Sequence, residues 1–474
     1  MYIATRWNPI YWNTACLVVN SGSLEEKQQQ EEVVSLYEPE DTDNYIYVDL
    51  PDKSGKKKVE KGTDYAKIAK ALGDIVQQNI KVSLVDINKS DYSFKPDVEN
   101  NEILFGLKAL SGISGAVIEQ IKGGRPYRSL KDFMKRCPLN KTAMLSLIKG
   151  GAFDKVEANF ANELRVHPRY LAMIYYILQA SEQKTKLNLQ NFSSLINKDL
   201  IPPDLILQKQ IFLFNKYLKT NMKIKDYYKF DNNCFNFYSK YFDLDKIDII
   251  NGITYISQKT WDKLYQTTMD EARNWLKKYQ EQVLKAFNLI LFKECWDKYA
   301  QGNLSSWEME SLCFYYNKHE LYNLNKQKYG VVNFFDLSYE PEVDYFFKRN
   351  GRDIPIYKTY RIAGTVISKN DNKSSITLLT TEGVVNVKFT REYYAMFGKQ
   401  ISEKQDDGTK KVMEKGWFKR GTKVMVTGYR REDMFVGKTY KNTPGHQLYK
   451  ISKVFNNGKD IELVHERYGV EENE

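Results

Sequence analysis

The stretch from Ile103 to Asp154 constrains this chain more than any other, because its apolar residues recur at helical spacing and are cut by paired glycines. Leu104, Leu107 and Leu110 make one run and Val117, Ile118 and Ile121 the next, separated by Gly112-Ile113-Ser114-Gly115. Two glycines three apart turn the backbone sharply without a Cβ penalty. They also leave free the amides that open the second helix, where the positive end of the helix dipole holds a phosphate. The spacing therefore predicts a helix, a tight turn and a second helix. A second unit is expected where Leu145, Leu147 and Ile148 run into Lys149-Gly150-Gly151-Ala152-Phe153-Asp154. Nine Lys/Arg stand against three Asp/Glu in the stretch, which suits a tandem helix-hairpin-helix module that grips duplex backbone without reading bases. The alternative is a small helical bundle with ordinary glycine C-caps. Candidate duplex contacts are Lys108, Gly112, Ile113, Ser114, Gly115, Lys149, Gly150 and Gly151.

At 474 residues the chain exceeds one ordinary core, and two to four domains are expected. No run of eighteen apolar residues occurs, and Arg6, Asn8, Pro9 and Asn13 break any secretory signal, so a cytoplasmic protein without a membrane partner is expected. The cysteines at 16, 137, 234, 295 and 313 are scattered and never in a C-x-x-C pair, which indicates buried thiols rather than disulfides or zinc. Pro355 to Phe455 carries 20 Lys/Arg against 9 Asp/Glu, so the net charge of +11 is concentrated in this segment and the glycine-rich one. Such concentration is the footprint of a polyanion ligand.

Tyr2 to Val19 opens the chain as an apolar helix without a cap or domain start before it, and something upstream is expected to be missing. Gly22 to Lys61 is polar, with a helix end and a surface loop or hairpin expected. Asp64 to Gln78 predicts an amphipathic helix capped by Thr63 or Asp64, with Ile68, Leu72, Ile75 and Val76 inward. Ile80 to Phe94 is an extended piece that breaks into a polar turn at Asp86-Ile87-Asn88-Lys89-Ser90.

From that turn onward the sequence resembles the C-terminal half of the alpha subunit of bacterial DNA polymerase III, of the C family of replicative polymerases. Asp86, Ile87, Asn88, Ser90 and Phe94 match the family's "P-D-I-N-x-S…F" turn, with Val85 where proline is usual. Phe105, Gly106, Leu107, Ala109, Leu110, Gly112, Ile113, Gly115 and Ala116 match its first hairpin. Tyr127, Ser129, Leu130, Asp132, Phe133 and Arg136 match the following helix, and Leu147 to Asp154 the second hairpin. Arg6, Pro9, Trp12, Ala15 and Leu17 resemble a helix of the family's fingers domain. Glu308, Glu310, Leu312, Tyr315, His319 and Leu321 resemble a later motif, in which His319 is expected to be structural.

Between Lys155 and Ser306 the resemblance thins, and Tyr/Phe-rich amphipathic pieces such as Trp261 to Phe292 predict helices. Gln210-Ile211-Phe212-Leu213-Phe214 fits the family's "Q-x-x-L-F" sliding-clamp peptide, in which Leu213 and Phe214 would fill a pocket and Gln210 fix orientation. A buried helix stripe through Phe214, Tyr217 and Leu218 explains the same residues. Lys358 to Ile367, Ser375 to Thr381, Val384 to Phe389, Lys423 to Tyr429 and Gln447 to Val454 predict five strands, with a helix at Arg391 to Phe397 after the third. This is the order of an OB-fold. Tyr360, Arg361, Lys388, Phe389, Arg391, Tyr393, Arg430 and Arg431 are the candidate contacts to single-stranded DNA.

The expected architecture is multidomain and mostly α with a C-terminal β-barrel. Its parts are a fingers-like remnant (1–100), the tandem helix-hairpin-helix module (101–156), a helical aromatic-rich region (157–350), the OB-fold (355–456) and an acidic tail (457–474). The resemblance implies that the catalytic aspartates and their Mg2+ ions lie in a palm upstream of Tyr2, so no catalytic residue, metal ligand or cofactor is expected here. Asp243, Asp245 and Asp248 are expected to be surface residues. Two readings stay open. One is the C-terminal part of a split replicative polymerase, partnered by a palm-bearing chain and a sliding clamp; Tyr2, Ile3, Trp7, Ile10, Trp12, Leu17 and Val18 would then meet the partner. The other is a stand-alone DNA-binding or regulatory protein derived from such a polymerase.

Overall fold

The computed structural model describes residues 8–22, 63–405 and 409–467, and the chain forms two compact units. One joins Met1–Met173 to Gly302–Glu474, and the other is Ile174–Gln301. The division falls at 174 and 301 rather than at 157 and 350. The glycine-rich segment and the barrel thus share one unit.

Helix α1 (Pro9–Asn20) starts where the Asn8 side chain accepts from the Ile10 amide at 3.1 Å, with Pro9 supplying a pre-set φ. It packs on α2 (Tyr65–Gln77), whose first turn is capped by Asp64 accepting from Lys67 N. Ile68, Leu72 and Ile75 are buried as the spacing predicts, while Lys67 and Lys70 face solvent. The expected bare face of α1 is only partly so. Ile10 and Leu17 are fully buried, whereas Trp12 is 54% exposed; Tyr2, Ile3 and Trp7 lie outside the described residues.

The helix expected before Gly112 does not form. Glu102–Leu104 is a strand, parallel to Lys81–Val82 and antiparallel to Lys95–Asp97, and Leu107–Ala109 is a single 3-10 turn. The amides of Leu107 and Lys108 donate to the carbonyls of Asp91 and Tyr92 instead of to a helix. The apolar spacing there serves burial: Ile103, Phe105, Leu107 and Leu110 are core residues. Helices α3 (Gly115–Gly123), α4 (Leu130–Arg136) and α5 (Lys141–Lys149) follow, the last two capped by Ser129 and Asn140 side chains. A further helix, Ala158–Leu164, succeeds the second glycine turn.

In the second unit, helices Gln258–Thr268, Asp270–Lys278 and Gln280–Tyr299 appear where amphipathic spacing predicts them. An expectation of helix throughout fails, because a four-stranded sheet runs in the order Lys223–Ile224, Tyr227–Phe230, Ile253–Ser257, Asp248–Ile250. Asn251-Gly252 supplies two consecutive positive φ angles, 52° and 74°, which suit a tight hairpin turn. Asp243, Asp245 and Asp248 are exposed around it.

The barrel is built from β1 (Tyr360–Asn370), β2 (Ser375–Leu379), β3 (Val384–Lys388), β4 (Lys423–Arg431) and β5 (Met434–Gly437). They close in the order β1-β2-β3-β5-β4-β1, with β3 and β5 parallel, an OB-like arrangement. The helix Arg391–Gly398 follows β3 as expected. The closing strand is a correction: Met434–Gly437 closes the barrel, whereas Leu448–Phe455 (β6) is an added strand on β4, followed by β7 (Asp460–Val464). A four-residue strand reached by a two-residue turn carries too little alternation to stand out in sequence. β2 and β3 alternate buried and open residues around a core of Ile376, Leu378, Val385, Val387 and Phe435. β1 and β4 are buried on both faces because Leu321, Leu324 and Val331 cover Ala363 and Met425 from outside. No helix among the described residues is long and apolar enough to cross a membrane.

Candidate nucleic-acid interface

The first glycine turn keeps its amides open. Gly112 adopts φ +80°, Ser114 caps α3 without a side-chain bond, and both are exposed. The amides of Gly115, Ala116 and Val117 have no hydrogen-bond partner among the described residues. Three unpaired N–H groups thus stand at the positive end of a nine-residue helix, a geometry that can accept an anion. Ile113, in contrast, is buried and holds the turn from beneath.

The second turn is a correction. Lys149, Gly150 and Gly151 are buried, and the Lys149 ammonium meets Glu310 at 2.6 Å. A β-carbon on Gly150 would lie 2.9 Å from Leu110 and from Ser311, and one on Gly151 2.7 Å from Arg169. Arg169, 1% exposed, bonds Asp154 at 2.7 Å and Glu308 at 2.9 Å. Burial would pull its pKa down, but attraction and hydrogen bonds from the two carboxylates leave it above the ordinary arginine value. Helix, glycines and helix are all present here, but the amides of Gly150, Gly151 and Ala152 donate to the carbonyls of Ser146, Ile148 and Leu147, and the Lys149 ammonium is already paired.

The barrel's open face, with the end of α1, α2 and Ser111, lines a cleft of about 1460 Å³. Eight of its lining residues are Lys or Arg, against Asp64, Glu310 and Glu320. Lys423 is committed to Glu320 at 2.8 Å, Lys67 to Asp64 and Lys369 to Asp371. Lys70, Lys373, Lys388 and Lys419 make no ion pair among the described residues. Arg420 joins the two places: its Nη2 donates to Ser111 Oγ at 3.2 Å, next to the turn, and its guanidinium stacks 4.6 Å from the Tyr65 ring. The cleft's edge at Ser111 is thus one residue along the chain from the Gly112 turn.

Of the single-strand candidates, Lys388, Arg391 and Arg431 are exposed and Lys388 lines the cleft. Phe389 is buried between Tyr393 and Phe418. Arg430 is a strut, donating from Nη1 to Leu337 O at 2.8 Å and from Nε to Glu432 O, and stacking on Tyr339. Arg361 donates to Pro444 O, and Tyr360 to Glu342. Tyr393 is half-buried. Lys67, Lys70, Lys373, Lys419 and Arg420 were not legible as site residues, because they come from a distant helix and from loops; only the run Lys419-Arg420-Gly421-Thr422-Lys423 gave a local hint.

Gln210, Leu213 and Phe214 do not form a free peptide. They lie in helix Ile206–Tyr217, where Phe214 stacks on Phe237 at 4.3 Å in the core and Gln210 accepts from Tyr241. The core stripe explains the spacing better, although Leu213 is exposed. His319 is structural: its Nε2 meets Leu379 O and its Nδ1 accepts from Leu321 N, both at 3.0 Å. Burial holds its pKa down at about 4. Cys137, Cys234 and Cys313 are buried thiols, whereas Cys16 and Cys295 are half-buried. Among the described residues no three His, Cys, Asp or Glu side chains stand where they would hold a metal ion, and no metal step is assigned to them.

Comparison with known proteins agrees with this geometry. Residues 79–162 match the helix-hairpin-helix motif. The chain is 38% identical over 465 residues, 96% of its length, to a probable DNA polymerase, YorL, of Bacillus subtilis (strain 168), and equally to a DNA-directed DNA polymerase of Bacillus phage SPbeta. It is 40% identical over 102 residues, 20% of its length and 8% of the relative's, to the DNA polymerase III subunit alpha of Thermus aquaticus. The chain spans about a third (33%) of the length of the first two relatives. It is homologous to these DNA polymerases.

Proposed function

We propose that these 474 residues are the DNA-holding part of a replicative-type DNA polymerase. The anion seat at Gly115 grips the duplex backbone and the barrel cleft holds the single-stranded template. The observation that carries this is that Arg420, which lines the cleft, bonds Ser111 beside the first glycine turn, and on this proposal one substrate occupies both places. A primer–template junction has that form, duplex on one side and single strand on the other. Phosphate contacts from Lys70, Lys373, Lys388 and Lys419 hold the strand without reading its sequence.

Nucleotidyl transfer and its Mg2+ ions belong, on this proposal, to a palm outside these 474 residues. Trp12, bare on α1, suits an interface with that palm.

The test is fluorescence titration of the chain with a primer–template junction, a blunt duplex and a single strand at several salt concentrations. Junction binding should be tightest. Lys373→Ala, Lys388→Ala and Lys419→Ala together should weaken single-strand binding by about 10–100-fold and reduce the salt slope by about 2. Indifference of single-strand affinity to the triple change would remove the cleft from the proposal. Primer extension should require a palm-bearing partner, and extension by these residues alone would refute the division of labour.

A further inference from the structure

The ribbon formed by Val343–Arg349 and Arg352–Tyr357, just ahead of β1, pairs with no other strand among the described residues. Its turn, Asn350-Gly351, has φ 51° and 73°, and the register sets Arg349 opposite Arg352. Every residue of the first strand is exposed, on both faces. An isolated hairpin is marginal in water, and this one bares Phe346 at 62% and Phe347 at 54%. Lys348, Arg349 and Arg352 gather at the tip against Asp353 alone, and none of the three has an ion pair among the described residues. The ribbon is rooted on the barrel, where the Tyr357 and Tyr429 rings lie 4.8 Å apart with Arg431 over both. Arg431 pairs with Met434, which lines the cleft, so the root adjoins the basic surface.

We propose that this ribbon is an additional duplex-binding arm that enters the major groove tip first. The inference rests on the DNA-binding function proposed above and adds a contact to it. Seven residues at about 3.3 Å each make an arm roughly 23 Å long. A major groove about 12 Å wide admits a two-stranded ribbon. Charge decides the partner: the tip presents three cations with one carboxylate, complementary to phosphate, and the rings behind it cover apolar base edges such as thymine methyls.

The experiment titrates the full chain with a blunt duplex and with a single-stranded oligonucleotide across salt. Arg349→Ala with Arg352→Ala should weaken duplex binding about tenfold and lower the salt slope by about 2, with single-strand binding unchanged. Phe346→Ser with Phe347→Ser should weaken duplex binding at every salt concentration and leave the slope unchanged. Circular dichroism of each variant should match the parent, because the altered side chains are exposed. Failure of the parent chain to bind any DNA would overturn the proposed function itself. A parent that binds duplex, with both variants binding equally well, would overturn only the arm. Loss of self-association or of a protein partner in the variants, with duplex affinity intact, would assign the ribbon to a protein interface and overturn the arm likewise.

Discussion

The two glycine turns of the helix-hairpin-helix segment look alike in sequence and differ in every physical respect that matters for binding. At Gly112 the turn faces water, rests on buried Ile113 and leaves three helix-opening amides unpaired. At Gly150-Gly151 the turn is covered by the segment 304–317. Ser146 and Ser311 bond across it, and Arg169 is clamped between Asp154 and Glu308. One turn is open to a ligand and the other is a joint. A glycine is needed in both, in the first because φ is positive and the turn must stay open, in the second because a β-carbon would collide with its cover.

The largest effect is expected at the joint. Arg169→Ala leaves Glu308, itself fully buried, with the Asn317 contacts as its remaining partners, and should cost about 3–5 kcal/mol in chemical denaturation. A loss under 1 kcal/mol would show that the cover is ornamental and the two turns less different than their burial implies.

Acid should act next. His319, on the chain just past the cover, is neutral and buried, with burial the main cause of its low pKa, opposed by its bond to Leu379 O. Between about 6.5 and 4 the unfolded chain binds a proton that the folded one refuses. Stability is therefore fully present above pH 6.5 and falls as pH drops toward 4, by roughly 3 kcal/mol. Thermal melts at pH 7 and pH 5 should show the fall, and His319→Gln should flatten it; an equally steep profile in the variant would place the acid sensitivity elsewhere.

A smaller pair of changes compares the turns directly. Gly151→Ala, forced to φ +83° and against Arg169, should destabilise by about 1–3 kcal/mol. Gly112→Val with Gly115→Val, the first forced to φ +80°, should cost a comparable amount in folding and in addition reduce the duplex affinity of the folded protein about tenfold. Reversed outcomes, a binding defect at Gly151 and intact binding at Gly112, would exchange the roles of the two turns.

Much of the fold was legible because it is local. Alternation marked β2 and β3, amphipathic spacing marked α2 and the Trp261 to Phe292 helices, and the order of strands and helix marked the barrel. The helix before Gly112 was misread because periodic burial does not require periodic backbone: Leu107 and Lys108 bond to a loop sixteen residues earlier. The hairpins at Asn251-Gly252 and Asn350-Gly351 carried a local turn signal, obscured by the aromatic residues around them. The binding face was least legible. Arg430 and Lys373 are both cations in the barrel segment, yet one is a strut under Phe334 and Leu337 while the other lines the cleft.

The sequence by itself determined that this chain carries a glycine-punctuated helical module followed by a basic β-barrel, because propensity, alternation and turn chemistry act over a few residues. Only the tertiary structure decided which glycine turn meets water and which cations are left unpaired. Those outcomes depend on Ser311 reaching Ser146 and Glu310 reaching Lys149, 165 and 161 residues away, and on Arg420 reaching Ser111 across 309. A charge is available to a ligand only when no partner within the fold has already neutralised it, and that partner is chosen by packing rather than by neighbours in the chain.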